Sequence, residues 1–286
     1  MGRFMKPLTL SRLSTPLLSF FLLMQTQSLI AESLPIIDTH IHYSHDTWDM
    51  LPPEKAVQVL KDAGLKKAFV SSSSDKGTQL LYQAAPDLIV PVLRPYRKRG
   101  ELSTWFKDET VIDLLEQKLA QNTYAGIGEF HIFGDDANLP VMRALVRLAA
   151  QYKIFLHAHS DAEAVRNLFA QDPNARILWA HSGFERPEVI DEMLASYPNL
   201  STDLAFRYEH ASNGTVEQDW LNLFNKYPLR FMIGTDTYAP ERWYYVIDHA
   251  DWSRDWLNSL PETLRTNIAY KNAHALASWA LKNKDY

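Results

Sequence analysis

Two histidines separated by one residue close the run LPIIDTHIH at positions 34–42, and their type and spacing are the first in the chain to suggest chemistry. Side chains alternate faces along a strand, so His40 and His42 point the same way from one strand end. Such a pair is either half of a metal site or a solvent-facing couple. Later runs weigh for the metal. Glu129 ends YAGIGE, His157 and His159 sit in IFLHAHS, His181 ends ARILWAH, and Asp236 follows LRFMIGT. Each is a ligand type at the C-terminal end of an apolar run. The chain has no cysteine, so a metal must be held by His, Asp or Glu. That donor set suits Zn best, and also Mn, Fe, Co or Ni. An ion with an open position lowers the pKa of a water it holds. Asp236 is placed either to ligate or to take the proton from that water.

These residues need a scaffold that gathers strand ends. From residue 34 onward, short apolar runs alternate with amphipathic stretches of helical length, the order of a parallel sheet with helices on its faces. The strands are expected at 34–42, 67–72, 88–93, 124–129, 153–159, 175–181, 199–204 and 229–235. Helices open at prolines or at a capping residue, as at Pro52–Pro53, Pro140, Asp161 and Pro187. Eight such units close into a (β/α)8 barrel more naturally than into an open sheet, and barrels place catalytic groups at strand C-termini. Glycines in YAGIGE allow something bulky to approach that strand. The long stretch after the third strand carries function or is a surface excursion. Beyond Glu241 the chain reads as helical, its aromatics packing on the barrel wall or facing substrate.

Other polar residues draw weaker expectations. Arg94 and Arg207 follow the third and seventh strands and could hold a substrate carboxylate or phosphate, or make surface ion pairs. Trp48, with Tyr43 and His45, could line a pocket. His131 reads as a loop residue, and Ser72, Ser73 and Ser74 as turn chemistry, because no G-x-S-x-G elbow surrounds them.

The 286 residues, 46% hydrophobic with a net charge of −5, suffice for one large core and show no basic block that would favour nucleic acid. Residues 1–31 read as a cleaved export signal: Arg3, Lys6 and Arg12 precede an apolar region at 13–23, and Ala31 ends a small-residue cleavage stretch. Its removal takes three positive charges and no negative ones, leaving −8 on a single domain, residues 32–286. The expected location is the periplasm or exterior, without stable membrane insertion, which the absence of cysteine fits. Oligomeric state is not readable.

Taken in order, DTHIH at 38–42, GIGEF at 126–130, LHAHSD at 156–161, WAHSGF at 179–184 and MIGTD at 232–236 resemble the amidohydrolase superfamily. The likeness is greatest to its amidohydrolase-related branch of decarboxylases and lactonases. YKNAHAL at 270–276 is similar to the Asn-Ala segment that closes many members. The resemblance implies that His40 and His42 bind the metal with one strand-five histidine as third ligand. The SDAEAV that follows favours His159, with His157 a layer deeper. Asp236 would be ligand and proton shuttle, and His181 a second-metal ligand or the group that orients water. Glu129 is similar to the strand-four Glu of the TatD branch, which helps hold a metal pair. No lysine stands where other members carry a carbamylated one, so one or two ions remain open. The implied activity is hydrolysis of a C–N, C–O or P–O bond in a small molecule. Nonoxidative decarboxylation of an aromatic or unsaturated acid is the alternative, and a noncatalytic binding protein on a retained barrel a third.

Overall fold

Eight short apolar runs, each followed by an amphipathic stretch, fold as a ring of parallel strands with helices outside. The computed structural model describes residues 1–2 and 33–282, so the expected export signal lies, apart from Met1 and Gly2, outside the described residues. From Ser33 onward the chain forms one unit. No helix among the described residues is long and apolar enough to cross a membrane.

The barrel strands are β1 (Ile36–Ile41), β2 (Leu65–Val70), β3 (Ile89–Leu93), β4 (Gly126–His131), β5 (Phe155–His159), β6 (Ile177–Trp179), β7 (Leu200–Asp203) and, after a small hairpin of β8 (Ala211–Ser212) and β9 (Thr215–Val216), β10 (Phe231–Met232). They pair in parallel in the order β1-β2-β3-β4-β5-β6-β7-β10. A parallel bridge between Asp38 and Ile233, with Thr39 N–H donating to Ile233 O at 2.8 Å, joins the last strand to the first. The expected (β/α)8 architecture is the observed one. The outer helices are α1 (Pro53–Asp62), α2 (Asp75–Ala84), α3 (Thr110–Gln121), α4 (Pro140–Tyr152), α5 (Ala162–Gln171), α6 (Pro187–Ser196) and α7 (Gln218–Lys226), followed by α8 (Val246–Leu257), α9 (Glu262–Thr266) and α10 (Asn272–Leu281).

Two apolar cores result, because every strand has two covered faces. The larger lies between strands and helices. The smaller fills the barrel with Ile37, Phe69, Val92, Phe155, Leu178 and Met232, and α10 packs on it through Ala273, Leu276, Ala277 and Ala280. Asn272 fixes that helix by donating to Phe231 O at 2.9 Å and Pro228 O at 3.1 Å, which gives the closing Asn-Ala segment a structural task. Of the tail aromatics, Trp243 and Trp256 are buried while Tyr244 and Tyr245 are exposed.

Two strands end earlier than their apolar runs. The sixth stops at Trp179 because the backbone turns left-handed at His181, Ser182, Gly183 and Phe184, with φ of 56°, 50°, 65° and 53°. The last is two residues long because Thr235 leaves the ladder, its N–H and hydroxyl donating to the buried Asp38 carboxylate. Gly128 is where glycine is required: φ is 136°, and a Cβ would lie 2.1 Å from His157 O.

Candidate metal centre

The candidate ligands reach the barrel mouth from the ends of several strands, and His40, His42 and His181 are each held through Nδ1 by a residue at or just past the end of another strand. His40 on β1 donates Nδ1–H to Asp203 Oδ2 at 3.1 Å, across the barrel at the end of β7. His42, just past β1, donates Nδ1–H to Ser71 O at 2.5 Å, past the end of β2. His181 donates Nδ1–H to Ala205 O at 3.0 Å. In all three pairs the partner is a carboxylate or carbonyl, so Nδ1 carries a proton and Nε2 is the nitrogen turned to the mouth.

Those three Nε2 atoms, together with Asp236 Oδ1, are buried and have no hydrogen-bond partner. They are also close. His42 Nε2 is 3.4 Å and His40 Nε2 3.9 Å from Asp236 Oδ1, and His181 Nε2 is 3.8 Å from its Oδ2. Glu129 lies among them: His42 Nε2 is 3.2 Å from Oε2, and His40 and His181 Nε2 are each 3.4 Å from Oε1. Unpartnered buried acceptors are costly, about 1–3 kcal/mol apiece. Three ring nitrogens and a carboxylate gathered this closely could hold a cation in place of a proton, and the histidines carry the outer-sphere acceptors typical of metal ligands. His40, His42 and Glu129 fall into one potential ligand group, His40, His181 and Asp236 into another. The residues fit a divalent ion.

Charge points the same way. Glu129, Asp203 and Asp236 face His40, and against them stands the Arg94 guanidinium, whose Nη2–H donates to Glu129 Oε2 at 2.7 Å. Burial works against ionising His40, yet Asp236, Asp203 and Glu129 hold its pKa well above the usual imidazole value. Burial likewise opposes ionisation of Glu129 and Asp203, but the surrounding histidines hold both carboxyls well below the ordinary range. His42 moves the other way, lowered by burial and by Arg94. Three carboxylates against one guanidinium leave negative charge that a divalent cation would balance.

The two strand-five histidines have different surroundings. His157 is buried, donates Nε2–H to Asp203 Oδ2 at 3.1 Å, and is pushed down to about 4 by burial. His159 lies nearer the mouth, with Nδ1 2.8 Å from Glu129 Oε1 and its ring stacked on His131 at 4.0 Å.

Above these groups opens a cavity of about 530 Å³, lined by Glu129, His159, His181 and Asp236, by Arg94, Ser44, Ser73 and His131, and by Leu102, Phe184, Phe206 and Tyr238. Two expected substrate contacts lie elsewhere. Arg207 donates to His181 O at 2.9 Å, Glu185 O at 2.6 Å and Glu209 Oε1 at 2.5 Å, because the left-handed turn after β6 leaves carbonyls that need a donor. Trp48 donates its indole N–H to Tyr43 O at 3.0 Å and does not line the cavity. Arg94 does line it, but its Nε–H and Nη2–H serve the Glu129 carbonyl and carboxylate.

Three functional groups escape the motif reading. Asp203 accepts from His40, His157 and the His181 and Ala205 backbone amides, and its signal was an acid at the end of the seventh apolar run. Ser71 holds both His42, through its carbonyl, and Glu129 N–H, through its hydroxyl at 3.2 Å. His131 is a pocket residue: the Tyr96 oxygen accepts its backbone N–H at 2.6 Å, and the Tyr96 hydroxyl pairs with its Nδ1 at 2.9 Å. Nothing in residue type distinguishes these last two from ordinary strand-end residues.

No protein-family model and no curated protein sequence matches the chain. Solved structures do. An uncharacterized TIM-barrel protein from Bordetella bronchiseptica aligns with a TM-score of 0.58 at 15% identity, over 86% of this chain and 99% of its own. The probable 2-pyrone-4,6-dicarboxylic acid hydrolase of Acinetobacter baumannii, with citric acid bound, gives 0.60 at 14% over 85% and 99%. A TatD-family hydrolase from Entamoeba histolytica gives 0.50 at 12% over 87% and 98%. At these identities the likeness establishes the barrel fold.

Proposed function

We propose that this chain is a metal-dependent hydrolase of the amidohydrolase superfamily, exported and freed of residues 1–31, that cleaves a C–N, C–O or P–O bond in a small molecule. The observation that carries the reading is the convergence of His40, His42 and His181 Nε2 with Asp236 Oδ1, all buried and all without a partner. His40, His42, Glu129 and Asp236 would hold the ion, Zn or else Mn, Fe, Co or Ni. Glu129, within 3.4 Å of nitrogens on both sides, and His159 and His181 would serve a second one. A divalent ion supplies Lewis acidity there, lowering the pKa of water and polarising a carbonyl or phosphoryl oxygen.

The chain's own groups do the rest. Asp236 Oδ1, free of hydrogen bonds, takes the proton of the attacking water and delivers it to the leaving group. Where a single ion is bound, His181 Nε2 is left to orient that water. Ser71, Asp203 and the Ala205 carbonyl fix the rings so that no reorganisation is needed. Leu102, Phe184 and Phe206 line the cavity with apolar surface. Decarboxylation would need Arg94 to hold a substrate carboxylate, and its pairing with Glu129 favours hydrolysis instead.

The test is hydrolysis of a panel of amides, esters and lactones by the zinc-loaded protein, with His40→Ala beside it and carbon dioxide release from aromatic acids followed in parallel. Hydrolysis that disappears in His40→Ala supports the reading. Carbon dioxide release without hydrolysis contradicts it. For export, the N-terminal mass of protein recovered outside the cytoplasm should begin after residue 31, and an intact Met1 would refute cleavage.

A further inference from the structure

The walls of the cavity differ in character from its floor. Beside the ligand cluster they are aromatic, and two of the rings stand on unusual backbone: Phe184 at φ 53° and Phe206 at φ 58°. A bulky residue avoids this left-handed region, where glycine sits without strain. What phenylalanine adds at each position is the ring. Phe184 is 55% exposed and stacks on His181, centroids 4.6 Å apart with 16° between planes. Phe206 lies 5.9 Å from His181, and Tyr238 5.9 Å from Phe206. Bulky residues held in a disfavoured conformation beside catalytic groups mark a site shaped for a ligand.

The polar lining is as specific. Arg94 is the one cationic side chain among the lining residues other than histidines, and its guanidinium is paired with Glu129. Arg242, 4.5 Å from the Phe206 ring, donates to Asp236 O, Thr235 O and Tyr208 Oη instead of lining the cavity. The remaining polar contacts are Ser44, Ser73 and His131, and the His131 Nδ1 is already taken by the Tyr96 hydroxyl at 2.9 Å. A substrate carboxylate or phosphate away from the ion would find no unpaired guanidinium or ammonium among the described lining residues and would face the cost of an unpaired buried charge.

We infer that the site takes uncharged substrates bearing a flat aromatic or cyclic group, seated against Phe184, Phe206 and Tyr238, and disfavours those with an additional carboxylate or phosphate. This deepens the hydrolase reading and rests on its metal centre. The test separates the two by using ligands whose hydroxamate head anchors on zinc. Calorimetric titration of the zinc-loaded protein compares benzohydroxamate, acetohydroxamate and 4-carboxybenzohydroxamate. Benzohydroxamate should bind about 30-fold more tightly than either of the others. Phe184→Gly, which relieves the left-handed backbone and so preserves folding, should remove most of its advantage over acetohydroxamate.

Equal or tighter binding of the carboxylated compound overturns the inference, as does an unchanged preference in Phe184→Gly. Failure of all three ligands to bind overturns this inference together with the metal centre. Preferential binding without hydrolysis of any neutral aryl amide, ester, lactone or phosphotriester leaves the inference standing and overturns the hydrolase reading alone.

Discussion

The two ends of the barrel are built from the same strands yet obey opposite rules. β1 runs from Ile37 in the apolar plug to His40, β5 from Phe155 to His159, and β10 from Met232 on to Asp236 beyond its end. At the lower end Phe69 stacks on Phe155 at 5.7 Å, and α10 packs small residues against the plug. At the upper end three carboxylates crowd a set of histidines and four buried polar atoms lack partners. Stability and chemistry are thus separated along single strands, a few residues apart, which is how a barrel tolerates a costly site.

The comparison can be broken by substitutions at either end. Asp236→Asn removes the proton acceptor from the mouth and should lower kcat by about 10³-fold while leaving the unfolding midpoint of the metal-free protein unchanged or raised. A drop in stability with activity retained would mean that Asp236 is scaffold. Phe155→Ala, at the opposite end, should cost about 3–5 kcal/mol in urea unfolding and leave zinc affinity of the folded protein unaltered. If zinc binding fell with stability, the two ends would be coupled.

Asp203 stands between the two regimes, since it orients His40 and His157 and touches neither wall of the cavity. Asp203→Asn should weaken zinc binding about 10–100-fold in a competition titration with a chelator. A smaller change would place His40 orientation under the control of packing alone.

The region behind the mouth sharpens the contrast through pH. His210 is buried among Trp220, Trp252 and Trp256, and burial pushes its pKa down to about 4. The unfolded chain binds a proton near pH 6.5 that the folded chain refuses until about 4, so the stability contribution is complete above pH 6.5 and lost as pH falls through that window. Between pH 7.5 and 5 this one group should remove about 2 kcal/mol, and His210→Gln should flatten the measured pH dependence by that amount. An unaltered slope in the variant would mean that His210 titrates normally in the fold.

Much of this arrangement was legible from sequence because strand and ligand signals coincide. An apolar run ending in His, Glu or Asp announces both a strand and its mouth-facing end, and His40, His42, Glu129, His159, His181 and Asp236 were reachable that way. Asp203 carried the same signal in a weaker run. The aromatic wall was not legible. Phe184 and Phe206 become pocket residues only because the backbone after β6 and β7 turns left-handed, which no residue type there demands. Arg207 and Trp48 make their contacts away from the cavity: the turn after β6 presents carbonyls that Arg207 serves, and Tyr43 O takes the Trp48 indole. Ring orientation set by carbonyls, as at Ser71 and Ala205, depends on neighbouring strands and has no sequence signature.

The central claim is that the unpartnered atoms at the mouth form a metal centre, and elemental analysis of the purified protein after dialysis tests it most directly. One or two divalent transition-metal ions per chain are predicted for the wild type, with His40→Ala and His42→Ala losing them while remaining folded. A wild-type protein that carries no stoichiometric metal, and gains no thermal stability when zinc is added, would contradict it.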